Sequence, residues 1–113
     1  MTIDKLKQYG ANVSEGLGRC LNNEPLYFRL IGMAAEDKSF AQLEEALGSG
    51  DLDAAFNAAH TLKGALGNLA LTPMYRPVSE LTELLRYKTP GDYNALLNTI
   101  IEQRAALREI IKD

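Results

Sequence analysis

The sequence contains one cysteine, one histidine and no tryptophan. Cys20 cannot form an internal disulfide, and the chain has no CxxC pair or His/Cys cluster with the spacing of metal ligands. We therefore expect Cys20 to be a small buried residue, and we expect the chain to bind no metal ion and no cofactor. The sequence also lacks a GxxxxGK[ST] loop, which would hold the phosphates of ATP.

Basic charge and long apolar runs are scarce as well. The chain has a formal net charge of -3 and a sequence pI near 5.1, whereas nucleic-acid binding needs a basic face that neutralises phosphates. No apolar run approaches the roughly 18 residues of a membrane span, and the start MTIDKLKQYG does not resemble a secretory signal. We expect a soluble, cytoplasmic monomer whose partners are proteins, with no nucleic acid and no membrane among them.

The composition is typical of a single globular domain. The chain has 113 residues, of which 46% are hydrophobic and 24% charged, and this length suffices to bury a core without a disulfide or metal. The sequence has no internal repeat, low-complexity segment or flexible linker. We therefore predict one domain over residues 1–113.

Helix-start and helix-stop residues recur along the chain, and alternating β-branched runs are nearly absent. The candidate N-caps are Thr2, Ser14, Asn23, Asp51, Thr72 and Thr89. The helix after Asn23 should break near residues 37–39 and end at Gly48 or Gly50, and the helix after Asp51 should run to about Leu69. A very short link then makes the next helix, which ends near Lys88, its antiparallel neighbour. We predict an all-α fold, a four-helix up-and-down bundle with short N-terminal helices.

His60 lies in the middle of the helix DLDAAFNAAHTLKGALGNLAL. At about 100° per residue, five apolar residues form a core-facing stripe: Ala55, Ala59, Leu62, Leu66 and Leu69. A second stripe, centred well over 90° away, consists of His60, Lys63, Gly64 and Gly67. The imidazole is therefore expected to reach solvent.

Two glycines within this helix are unusual, because each costs about 1 kcal/mol relative to alanine. Their stripe also carries Lys63 and His60, which a core would reject. We therefore expect Gly64 and Gly67 to leave room for another protein close to the ring. Phe56, one turn before His60, either shields the edge of the core or makes an apolar docking contact; the sequence does not decide between these.

The chemistry open to this stripe is nucleophilic. A neutral imidazole has one unprotonated nitrogen, and histidine is among the residues that form covalent intermediates. Lys63, one turn after His60, adds a positive charge where a phosphorylated imidazole would place a negative one. The pair favours a role for His60 in phosphoryl transfer.

The string AAHTLKGALGNLAL is similar to the signature of histidine-containing phosphotransfer (HPt) domains. That signature has His, then Leu, Lys and Gly at offsets of two, three and four, and a later leucine; here these are His60, Leu62, Lys63, Gly64 and Leu69. The segments NNEPLYFRL, GSGDLDAAFNAA and TPMYRPVSELTELLR also resemble the family, so the similarity covers about residues 13–112. Two positions depart from it: Ala70 stands where many members have glycine, and Pro77 falls one turn inside the following helix.

The resemblance implies a function in phosphorelay, part of two-component signalling. His60 would be the phosphoacceptor and become phosphohistidine, Lys63 would lie near the phosphoryl group, and Gly64 would give clearance. We assign Phe56 and Gly67 to partner binding. The family's partners are response-regulator receiver domains, which carry the reacting aspartate and Mg²⁺, and sensor histidine kinases. The chain itself would be a phosphoryl carrier with no kinase activity of its own.

Two alternatives to a free-standing relay protein stay open. The first alternative is a non-catalytic helical interaction module, in which His60 tolerates substitution. The second is the phosphoacceptor domain of a chemotaxis-type or hybrid sensor kinase. In the second case a kinase domain elsewhere in the parent chain would be the donor, and His60 would be autophosphorylated.

Overall fold

The computed structural model describes residues 1–112, which form seven α-helices and no β-strand. The all-α prediction is therefore confirmed. No helix among these residues has both the length and the apolar character needed to cross a membrane. The helices are α1 (Ile3–Tyr9), α2 (Val13–Arg19), α3 (Glu24–Ala35), α4 (Ser39–Ser49), α5 (Leu52–Asn68), α6 (Thr72–Arg86) and α7 (Tyr93–Lys112).

Three of the predicted helix starts are confirmed by side-chain hydrogen bonds. Thr2, Asn23 and Asp51 each precede a helix and accept a hydrogen bond from the backbone N–H three residues later. These bonds satisfy amide donors that have no partner inside the first turn of a helix. The predicted break at 37–39 is also present, and Gly50, with φ of 76°, ends α4 in the left-handed conformation that glycine adopts easily.

The predicted starts at Ser14 and Thr89 are wrong by two or three residues. Asn12, not Ser14, caps α2 by accepting from the N–H of Glu15, so Ser14 lies inside the first turn of the helix. α6 begins at Thr72, as predicted, with Leu71 in the cap position. α7 begins at Tyr93 instead of after Thr89, because the Asp92 carboxylate accepts from the N–H of Ala95 at 2.9 Å.

Pro77 does not interrupt its helix. α6 continues through Pro77 to Arg86, with Pro77 itself buried. Proline removes one backbone donor, but burial of the apolar side of α6 on both sides of Pro77 compensates for the lost bond. The departure from the family pattern at Pro77 therefore leaves α6 as one helix from Thr72 to Arg86.

Helices α4 to α7 pack each against the next in chain order, and α7 also contacts α1, α3 and α4. Residues 69–71 join α5 to α6, and these two helices run antiparallel, as predicted, because Gly67 meets Tyr75 while Lys63 meets Glu83. Cys20 is buried, also as predicted. The predicted core stripe of α5 is fully buried or nearly so: Ala55, Ala59, Leu62, Leu66 and Leu69.

The N-terminal helices dock on the connection between α5 and α6. The N–H of Asn12 and the hydroxyl of Tyr27 donate to the carbonyls of Ala70 and Leu69, each at 2.9 Å. Burial raises the pKa of Tyr27 to about 12, so its hydroxyl stays a neutral donor. Ala70 has φ of 55°, a left-handed conformation that suits glycine better than alanine. This explains physically why glycine is common at the position in the resembling family.

Gly16 makes the tightest backbone contact at this junction, and replacing it by alanine should destabilise the fold. An added Cβ would lie 2.5 Å from the Leu69 carbonyl oxygen and 2.6 Å from the Tyr27 hydroxyl. We expect Gly16→Ala to lower the free energy of unfolding by about 2 to 3 kcal/mol, the upper range for overpacking a core, as measured by urea titration. The matched control is Gly18→Ala on the same helix, where nothing lies within 4 Å. Equal stability of the two variants would contradict this packing.

Candidate functional site

α5 presents His60 to solvent at the middle of its length. His60 is exposed, whereas its neighbours Ala59 and Leu62 are fully buried on the core side of the same helix. The expectation that the imidazole reaches solvent is therefore confirmed. Within residues 1–112 the ring makes no hydrogen bond, so both of its nitrogens are open to an approaching molecule.

Ring stacking orients the imidazole. The Phe56 ring lies one turn before His60, with centroids 5.6 Å apart and planes inclined by 17°. The Arg86 guanidinium lies 5.0 Å from the centroid of the same Phe56 ring, at cation–π distance. Phe56 is half-buried, so it both shields the edge of the core and restricts the His60 ring. The contact between Arg86 and Phe56 is not predictable from local sequence, since Arg86 lies on α6 and Phe56 on α5.

Glu83 on α6 holds two cations beside the site. Its carboxylate lies 3.4 Å from Lys63 Nζ and 3.3 Å from Arg86 Nε. The hydrogen bond from Arg86, with smaller contributions from Lys63, keeps the pKa of Glu83 below its usual value. Lys63 is thus paired across the α5–α6 interface. Sequence reasoning missed Glu83 and Arg86; their spacing of three residues signals an ion pair on one helix but not its place beside Lys63.

The two glycines of the stripe differ. An added Cβ at Gly64 would meet nothing within 4 Å, whereas at Gly67 it would meet the Tyr75 ring at 3.4 Å. The Gly67 carbonyl also accepts a hydrogen bond from Arg19. Gly64 is therefore open, as expected, whereas an added Cβ at Gly67 would be in ordinary van der Waals contact with the Tyr75 ring. Both glycines line the cleft beside His60.

A cleft of about 820 Å³ lies beside His60, between α2, α5 and α6. The sequence alone left open whether Tyr75 and Arg76 lie near the site or shield the core; both line this cleft. The α2 wall was not foreseen, because it depends on how the N-terminal helices dock. Its lining includes charged side chains from all three helices: Glu15, Arg19, Lys63 and Arg76.

A protein-family model described as Hpt domain matches residues 33–112. The chain belongs to the Hpt domain family. This confirms the resemblance seen in the sequence, and the match contains His60, Lys63 and Gly64. No curated protein and no solved structure matches the chain.

Membership gives the general function. Hpt domains carry out histidine phosphotransfer in phosphorelays, and they interact with kinases and response regulators of two-component systems. The all-helical structure of residues 1–112 is consistent with that family. The match begins at Met33, so α1, α2 and most of α3 precede it. Of these helices, α2 supplies one wall of the cleft beside His60.

Proposed function

We propose that His60 exchanges a phosphoryl group with the phosphorylated aspartate of response-regulator receiver domains. The observation that carries this proposal is an exposed imidazole without a hydrogen bond from residues 1–112, beside a helix position, Gly64, with nothing within 4 Å. A receiver must bring its acyl phosphate in line with a ring nitrogen. Only an unobstructed helix flank permits that approach.

The transfer needs no proton to leave before attack. An unprotonated ring nitrogen of His60 supplies the electron pair of the new N–P bond, and the O–P bond to the aspartyl oxygen breaks with its pair returning to the carboxylate. The reverse step rebuilds the acyl phosphate on a second receiver. A Mg²⁺ ion, expected on the receiver and not on this chain, would supply charge neutralisation for the phosphoryl oxygens. The chain acts as a carrier without kinase activity, and a sensor histidine kinase is a second partner.

Phe56 and Lys63 have supporting roles in this proposal. The stack of Phe56 on the imidazole limits the orientations of the ring, which reduces the entropy lost on reaching the in-line geometry. Lys63, one turn from His60, is close enough for its ammonium group to move from Glu83 toward a new phosphoryl group. Lys63 is half-buried, but its four-carbon side chain remains flexible, so this exchange costs little.

We propose that α4, α5, α6 and α7 form the four-helix bundle predicted from the sequence. Each packs on the next, and α7 closes the set by contacting α4. The histidine helix α5 then has two bundle neighbours, α4 and α6, and its remaining side carries His60. The monomeric state and the cytoplasmic location remain predictions of the sequence.

The proposal is tested by mixing the protein with a panel of receiver domains that have been phosphorylated by a small phosphodonor such as acetyl phosphate. We expect an adduct that is labile in acid and stable in alkali, as expected of a phosphoryl group on histidine. Addition of a second, unphosphorylated receiver should remove the phosphoryl group from the protein. If receivers bind but never label the protein, the chain is an adaptor. Labelling only by a kinase would indicate a kinase's phosphoacceptor domain.

Glu83→Gln should favour the phosphorylated form of His60. The variant removes a negative charge close to the site and releases Lys63 to pair with the phosphoryl group. We expect the equilibrium between phosphorylated receiver and phosphorylated His60 to shift toward His60 by about threefold. This factor corresponds to the free energy of an exposed ion pair. The measurement is the labelled fraction at equilibrium. Glu80→Gln, an exposed acid on the same helix with no ion pair among residues 1–112, is the control; a Glu83 variant that labels less than this control would refute the role.

A further inference from the structure

The cleft beside His60 has a wall that the family match does not include. Glu15 and Arg19 of α2 line the cleft, and both precede Met33, where the match begins. A molecule that reaches His60 through the cleft passes beside this wall or beside α6. The N-terminal helices are therefore placed to influence which partner fits.

α2 is held firmly in this position. Arg19 donates one hydrogen bond to the Gly67 carbonyl near the end of α5 and another to Glu15 on its own helix. Gly16, one turn from Arg19, packs against the Leu69 carbonyl. These contacts fix the α2 wall relative to α5, so its charges occupy defined positions beside the site.

The cleft is cationic although the chain as a whole is acidic. Three cations and one carboxylate line it, namely Arg19, Lys63, Arg76 and Glu15, whereas the chain's net charge is -3. Arg19 and Lys63 are already paired with carboxylates. Arg76 is exposed and makes no hydrogen bond or ion pair with any residue of 1–112, so its guanidinium is available to a partner.

We infer that Arg76, together with the Arg19 wall of α2, recognises an acidic surface of the receiver around its phosphorylated aspartate. This inference rests on the proposed function, because the aspartyl phosphate makes a partner anionic where it meets His60. Complementary charge accelerates association and excludes partners of the wrong sign. Arg76 is thus a specificity-determining residue, and α2 extends that surface beyond the family's matched region.

The test compares the rates at which the protein takes up phosphoryl groups from the panel of phosphorylated receivers. Arg76→Glu should slow uptake from the best receiver by roughly tenfold at low ionic strength, and the difference should shrink as salt rises. Arg29→Glu is the matched control: it makes the same charge change on the exposed side of α3, and Arg29 does not line the cleft. Glu15→Gln, which frees Arg19, should increase the rate about twofold.

The outcomes separate this inference from the proposed function. If wild type and Arg29→Glu label and Arg76→Glu labels at the same rate, the recognition surface is wrong while the transfer to His60 stands. If Arg76→Glu is slower at every salt concentration by the same factor, charge steering is excluded. If wild type never labels, the proposed function fails and this inference fails with it. Circular dichroism of each variant checks that the helices are retained.

Discussion

Replacement of His60 by glutamine is expected to abolish phosphoryl uptake while leaving the fold intact. Glutamine keeps polarity and similar bulk, but its amide nitrogen cannot supply an electron pair to phosphorus. The ring is exposed and has no hydrogen bond to residues 1–112, so only its stack on Phe56 is lost. An aromatic pair contributes about 1 kcal/mol, so the free energy of unfolding should fall by no more than that.

Two measurements on His60→Gln separate a relay from an adaptor. Labelling from phosphorylated receivers reports phosphoryl transfer, and equilibrium binding of an unphosphorylated receiver reports docking. Lost labelling with retained binding is the result that the relay requires. Retained labelling would place the phosphoryl group on another residue, and the role of His60 would have to be abandoned.

Gly64→Leu is expected to give a protein that is more stable and nearly inactive. Leucine is favoured over glycine in a helix interior by up to about 1 kcal/mol, and no neighbour within 4 Å opposes a Cβ at this position. Side chains of a helix lean toward its N-terminus, so a leucine at 64 would lean toward His60, one turn earlier. Displacing the incoming acyl phosphate by an ångström or more should slow uptake at least a hundredfold.

The control for Gly64→Leu is Gly48→Leu on α4. Gly48 is also exposed, within a helix, and has nothing within 4 Å of an added Cβ. Both variants should resist urea at least as well as wild type, but only the Gly64 variant should lose phosphoryl uptake. Normal uptake by Gly64→Leu would mean that the receiver approaches the ring from another side.

The sequence predicts the helices well where local chemistry decides them. Asn23 and Asp51 sit before helices because their side chains satisfy amide groups within the next three residues, an interaction that needs no tertiary contact. The face of α5 follows in the same way from its apolar period. This period alone predicts that His60 faces solvent.

The site around His60 required the tertiary structure. Gly67 and Gly64 look alike in the sequence, yet α6 brings Tyr75 against one and leaves the other open. The pairing of Lys63 with Glu83 joins residues 20 positions apart, and the α2 wall depends on contacts between helices that no local pattern encodes. Side-chain partners across helices are therefore the part that periodicity and capping do not predict.

The most direct test is to locate the phosphoryl group after the wild-type protein has been mixed with a phosphorylated receiver. Tandem mass spectrometry of peptides prepared and separated under alkaline conditions, which preserve phosphohistidine, identifies the modified residue. We expect a phosphoryl group on the imidazole of His60 that disappears when an unphosphorylated receiver is added. An unmodified His60, or a phosphoryl group found on a serine, threonine or aspartate of this chain instead, would contradict it.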